Sequence, residues 1–188
     1  MPGRVLLAGA SGFIGRHLHG PLAAAGLAVR CLTRRPEEAR RRWPDRDWVG
    51  GDVNDPRSLA WALQGCDAAY YLVHGMASAR PDWADEEVRW AEDFAEAAGA
   101  AGLGRIVYLG GVAPRGEPSE HLRARLTTGE ILRTGPIPCL ELRAGMIVRA
   151  GSASWTIVRD LAARLPAMVL PAWLAHRSEP VAVADVVA

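Results

Sequence analysis

Lysine is absent from this chain: all 22 basic residues are arginine. That excludes Schiff-base chemistry and lysine-assisted proton transfer by the chain itself, because arginine stays protonated under ordinary conditions. Cysteine is scarce as well. Cys31, Cys66 and Cys139 stand far apart and form no CxxC pair, so buried free thiols in a reducing cytosol are expected. No apolar run approaches the ~20 residues of a membrane span. No group of histidines and acids has metal-ligand spacing, so no metal site is expected. The first apolar stretch, "RVLLAGA", is too short for the core of a secretion signal, and a cytoplasmic protein is expected. Neither charge sign dominates. The net charge of +1 provides no field to gather nucleic acid or a membrane surface.

What is present is the pattern of an α/β protein. With 188 residues, 49% hydrophobic and 23% charged, the chain suits a single domain over 1–188 that buries roughly 70% of its unfolded surface. Strands are expected at 4–10, 28–33, 47–52, 67–74, 104–110 and 139–148, and helices at 12–26, 36–43, 55–65, 80–102, 119–135 and 153–165. Turn chemistry marks the boundaries: Pro56 and Pro81 open helices, Ser119 caps one, and Gly26, Gly65 and Gly135 close three. On the longest helix Trp83, Trp90, Phe94 and Ala97 share a face, expected to pack on the sheet with the acids turned to solvent. Strands alternating with helices build right-handed βαβ units. The expected fold is therefore a Rossmann-like doubly wound parallel sheet in three α/β/α layers. The chain stops at "VAVADVVA", where a strand turns into a helix; so abrupt an ending is expected of part of a longer chain.

"LAGASGFIGRHL" sets Gly9, Gly12 and Gly15 between the first strand and the first helix. The first glycine permits a tight turn, the second lets backbone approach a pyrophosphate, and the third lets the helix pack closely on the sheet. Ser11, Phe13 and Ile14 fill the turn, whose amides face an anion at the helix N-terminus. An NAD-binding chain carries an acid at the end of the second strand, to hold the ribose hydroxyls. This chain has Thr33, Arg34 and Arg35 there. The planar fork of arginine suits a 2′-phosphate, so NADP is favoured over NAD, and Arg16 is placed to reach the same phosphate. "ARRR" at 39–42 reads as a solvated face, since no stacking platform accompanies it.

The GxxGxxG spacing resembles the extended and atypical short-chain dehydrogenase/reductase (SDR) superfamily. Within it the chain looks like the NAD(P)H-binding, NmrA-like atypical members, through "TRRPE", "GDVNDPRSL", "YYLVHGM", "RIVYLGG", "PSEHLRAR" and "ELRAGMIVRAGSASW". The resemblance implies that Asp52 bonds the adenine amine, that Val53 lies beside the ring, and that Leu72, Val73 and His74 line the nicotinamide-ribose side.

In that superfamily a serine after the fifth strand and a YxxxK pair on the next helix handle protons. The matching positions here read Gly110-Gly111, His121 and Arg125. His121 and Arg125 keep the i, i+4 spacing that puts both on one side of a helix. Arginine still binds ribose hydroxyls but does not shuttle protons, whereas an imidazole is a competent acid or base near neutral pH. Three functional classes stay open. One is an NADP-dependent reductase of a small carbonyl or quinone-like substrate, with HxxxR in place of YxxxK. The second is a redox sensor that signals NADP(H) to a protein partner. The third is a structural subunit that retains its nucleotide. Trp155, Met168 and Trp173 are read as core residues or as the lining of a substrate pocket.

Overall fold

The computed structural model describes residues 3–75, 83–114, 116–165 and 179–188. The expected first turn of the longest helix at 80–82, with Pro81, lies outside them, as do Met168, Trp173 and His176. The chain divides into two compact units, Met1–Arg143 and Ala144–Ala188, each with its own sheet.

The first unit holds six strands: β1 (Arg4–Ala8), β2 (Ala28–Thr33), β3 (Asp47–Gly50), β4 (Ala68–Tyr71), β5 (Arg105–Gly111) and β6 (Cys139–Ala144). Their order across the sheet is β3-β2-β1-β4-β5-β6. The chain builds outward from β1 to β3, then returns to β1's other side and builds outward again. Both neighbours of β1 run parallel to it, with Val5 opposite Val29 on one side and Ala68 on the other. Parallel strands are covered on both faces and so read as unbroken apolar runs, as "VLLA" does. Successive side chains of β1 supply two separate cores. Leu6 and Ala8 join Leu59, Tyr71, Phe94 and Ile106. Val5 and Leu7 join Leu22, Val29, Cys31 and Trp48. Three layers follow directly.

Five helices cover these faces: α1 (Phe13–Ala24), α2 (Pro36–Arg42), α3 (Pro56–Leu63), α4 (Trp83–Ala100) and α5 (Glu120–Thr134). The capping residues sit where their chemistry places them. The Asp55 side chain accepts from Arg57 N at 3.1 Å and Ser119 Oγ accepts from Leu122 N at 3.4 Å. After α1 the chain reverses through Gly26 at φ 82°, a left-handed conformation that suits glycine.

Two expectations are corrected. The fourth strand stops at Tyr71, so Leu72–His74 form a loop leaving the sheet edge. The expected strand at 139–148 is two strands, because β7 (Ile147–Val148) leaves the main sheet to pair in parallel with β8 (Val181–Ala182). β7 and β8 belong to the second unit with α6 (Ala153–Arg164) and α7 (Val183–Val186). There Ser152 Oγ donates to Ile147 O at 2.9 Å, and Trp155 is 37% exposed rather than a core residue.

Candidate functional site

The strand order reverses beside β1, and this opens a crevice beyond the carboxyl ends of the strands, where ligands of doubly wound sheets bind. Gly9 follows β1 there at φ 86°. A Cβ at Gly9 would stand 2.7 Å from Leu72 O, so both the turn and its packing exclude a side chain. Gly12 N donates to Gly9 O at 3.0 Å and closes the turn. Gly15 is buried, and a Cβ on it would collide with the backbone of Gly9 and Ala10. The first bond along α1 runs from Arg16 N to Gly12 O. The amides of Phe13, Ile14 and Gly15 therefore precede the intrahelical ladder and form the positive end of the helix dipole. A cradle of bare backbone with unpaired N–H groups fits a dinucleotide's pyrophosphate.

A cleft of about 790 Å³ extends from this turn. Of the candidate residues, Gly9, Ser11, Gly12, Thr33, Arg34, Arg35, Asp52, Val53, Leu72, Val73 and His74 line it. Phe13, Ile14 and Gly15 lie behind the lining in the first turn of α1, with the Phe13 ring packed on His17. Arg16 does not join the wall; its Nε turns back to Gly12 O at 3.2 Å. At the β2 end, Arg35 pairs with Glu38 at 3.5 Å, and Thr33 Oγ1 accepts from Arg35 N. Asp52 holds the next loop: Oδ1 accepts from Asn54 N at 3.2 Å. The basic run on α2 is not wholly a solvated face. Arg40 donates to Trp48 O at 2.9 Å, and Arg42 and Trp43 line the cleft.

At the other end the cleft reaches His74 and Gly75. Arg125 Nη2 lies 2.9 Å from His74 Nε2 and 3.3 Å from Leu109 O. A guanidinium only donates, so Nε2 accepts and the ring proton sits on Nδ1. Burial, and then the Arg125 charge, push the His74 pKa down to about 3. The ring is neutral at physiological pH, and its 3.9 Å approach to Glu87 is not an ion pair. Glu87, buried on α4 at 3% exposure, accepts instead from Gly75 N at 2.5 Å. Burial raises its carboxyl pKa; the Gly75 N–H and the Arg125 and His121 charges oppose the rise. Tyr108 cannot stand in for the missing tyrosine. It is fully buried, donates to Arg125 O at 3.0 Å, and burial pushes its phenol up to about 12.

His121 is exposed and lies outside the described wall of the cleft. Its ring stacks on Trp83, with centroids 4.4 Å apart and planes 29° apart. Trp83 thus packs on α5 rather than on the sheet, while Phe94, Trp90 and Ala97 do meet the sheet's core. The space beside Gly110, one of the two positions expected to match a serine, is filled from elsewhere. A Cβ on Gly110 would stand 2.6 Å from Glu141 Oε1, and one on Gly129 2.5 Å from the same atom. Glu141, 5% exposed at its side chain, is pinned by Arg133 and Arg143, both at 3.0 Å from Oε2.

Glu87 was legible and was missed: Trp83, Glu87, Ala91, Phe94 and Ala98 form one helical stripe, all buried, and an acid in an apolar stripe signals a buried partner. Arg42, Trp43 and Glu141 carry no such signal.

A family model described as NAD(P)H-binding matches residues 9–163. Two curated relatives are reductases. A (4-alkanoyl-5-oxo-2,5-dihydrofuran-3-yl)methyl phosphate reductase of Streptomyces griseus is 36% identical over 80% of this chain and 50% of its own length. A ceramide reductase of Caulobacter vibrioides is 33% identical over 90% of this chain and 53% of its own length. The chain thus spans about half the length of the curated relatives it matches. Among solved structures, the Citrobacter sp. triphenylmethane reductase complexed with NADP(H) has a TM-score of 0.68 at 22% identity, over 85% of this chain and 55% of that one. The Bordetella bronchiseptica enzyme WbmG in complex with NAD has a TM-score of 0.75 at 17% identity, over 100% of this chain and 67% of that one. With the glycine cradle, the doubly wound sheet and the matched model in agreement, this chain belongs to the NAD(P)H-binding family.

Proposed function

We propose that the chain is the nucleotide-binding part of an NADP(H)-dependent reductase of a small carbonyl or quinone-like substrate. The observation that carries the proposal is one cleft joining the Gly9–Gly12 turn, a cationic rim at Arg34, and His74. Arg34 takes the 2′-phosphate, because Arg35 is already paired with Glu38. Asp52 uses its second carboxylate oxygen for the adenine amine, with Val53 beside the ring. Leu72, Val73 and His74 border the nicotinamide ribose. Arg125 Nε is a buried donor with no hydrogen-bond partner among the described residues, which suits a ribose hydroxyl. When bound, the reduced nicotinamide supplies the hydride. His121, oriented by its stack on Trp83, gives the proton to the substrate oxygen. The two reductase relatives support the reaction class; the substrate contacts of a full-length enzyme are part of the same proposal.

A second reading has its own observation. His121 stands outside the described wall, and the imidazole within the wall, His74, is held neutral. A redox sensor that reports NADP(H) to a protein partner needs the cleft and no proton donor.

Calorimetric titration with NADPH and NADH tests the common part; binding of neither overturns both readings. A screen of NADPH oxidation with quinones and aldehydes then separates them. Turnover that falls by about 100-fold in His121→Ala supports the reductase, on the usual scale of general acid catalysis. Equal turnover in both proteins removes His121 as the donor. Tight binding without turnover favours the sensor.

A further inference from the structure

We infer that Arg42, at the carboxyl end of α2, is a second reader of the adenosine 2′-phosphate and sets the preference for NADP(H) together with Arg34. The inference rests on the NADP(H) reading above and extends it to a residue outside the strand-end motif.

Four arginines occupy α2 and its entry near the cleft rim, and their surroundings differ. Arg35 faces Glu38 across 3.5 Å. Arg40 is held by Glu37 at 2.5 Å and by Trp48 O at 2.9 Å. Arg41 lies outside the described wall and folds back to Glu37 O at 3.2 Å. Arg42 alone of the run at 40–42 lines the cleft, and the contact recorded for its guanidinium is the Trp43 ring, 4.9 Å from the centroid. An arginine on an aromatic face keeps its in-plane N–H groups directed outward. Such a fork is already ordered for an oxyanion, and little freedom is lost when it binds one.

The platform under Arg42 is itself fixed. Trp43 packs on the buried Trp48 with centroids 5.7 Å apart, and Trp48 Nε1 donates to Trp43 O at 3.0 Å. Arg46 lies 5.4 Å from the centroid of the same Trp43 ring. Trp43 lines the cleft too, beside Ala39, Arg34 and Arg35. This wall therefore offers a cation held on a rigid aromatic side chain, on the side of the cleft where the end of β2 places an adenosine ribose. The chemistry it recognises is a phosphate monoester. A bare ribose hydroxyl would gain little from it.

Calorimetric titration with 2′,5′-ADP and 5′-AMP tests this without turnover, because the two probes differ only in the 2′-phosphate. Wild-type protein is expected to favour 2′,5′-ADP. Arg42→Ala should weaken 2′,5′-ADP by about tenfold or more, the scale of one charge-assisted contact, and leave 5′-AMP within about twofold. Arg41→Ala carries the same charge change outside the wall and should shift neither probe. Arg42→Gln repeats the measurement should the alanine variant fold poorly. Equal losses for both probes, the same loss in Arg41→Ala, or no loss in either Arg42 variant would overturn the role of Arg42 and leave the nucleotide site standing. A wild-type protein that binds neither probe would instead overturn the NADP(H) reading itself.

Discussion

Arg125 Nη2 lies 2.9 Å from His74 Nε2, across 51 positions of sequence. The contact joins α5 to the loop that follows β4. It fixes the tautomer of the ring that lines the cleft and gives a permanent cation a neutral acceptor. A tyrosine–lysine pair would place a proton relay on this helix. Arg125 instead contacts His74 Nε2 and donates to Leu109 O, and a guanidinium that stays protonated does not relay protons.

The depressed His74 pKa makes stability depend on pH in a definite direction. The unfolded imidazole takes a proton near pH 6.5, whereas the folded one does so only near pH 3. Between these values the unfolded chain binds more protons, so stability falls as pH drops through this window and is fully present above it. Glu87, with its raised pKa, acts in the opposite sense in wild type and variant alike. Urea unfolding at about pH 7 and about pH 5 should show wild type losing more stability than His74→Gln. Parallel losses would contradict the buried neutral ring.

Gly9 and Gly12 should separate folding from binding. Gly9 combines φ 86° with a Cβ position 2.7 Å from Leu72 O, whereas Gly12 is extended and its Cβ would meet only Gly9 O, at 3.1 Å. Gly9→Ala is expected to cost about 2 kcal/mol or more, through strain and overpacking. Gly12→Ala should cost about 1 kcal/mol, because glycine is a far better N-cap residue than alanine, yet place a methyl in the phosphate cradle and abolish nucleotide binding. Thermal melts and titrations of the two variants check this. Retained affinity in Gly12→Ala would move the phosphates elsewhere.

A serine at Gly110, one of the two positions expected to match a serine, should not be tolerated alone. Gly110→Ser puts its Cβ against Oε1 of Glu141, a carboxylate that two arginines hold in place through Oε2, and is expected to destabilise by about 1–3 kcal/mol. Gly129→Ala should lose stability for the same reason, although alanine is the better helix former. In a Glu141→Ala background both penalties should shrink, and Gly129→Ala should turn neutral or stabilising. A double-mutant cycle in urea reads the coupling; strictly additive effects would show that Glu141 is not the obstacle.

Much of the scaffold was legible because its signals are local. The "VLLA" run, Asp55-Pro56 and the Ser119 cap each settle an element from within a few residues, by burial periodicity or by a hydrogen bond to a neighbouring amide. The limits of the fourth and sixth strands were less legible. Where β4 ends, and where β7 leaves the main sheet, depends on which strand lies alongside, and an apolar run looks alike in either pairing.

Of the site, the chain's own order of residues determined the glycine turn, the absence of an acid at the end of β2, and the HxxxR spacing on α5. Each is a requirement of backbone conformation or helical pitch within one element. Tertiary structure alone decided that Arg42 reaches the cleft over Trp43, that His121 stacks on Trp83, that Glu87 is buried beneath Gly75, and that Glu141 fills the space beside Gly110. Those contacts bring together side chains from different elements, and their geometry follows from how helices and strands cross, which no local pattern encodes.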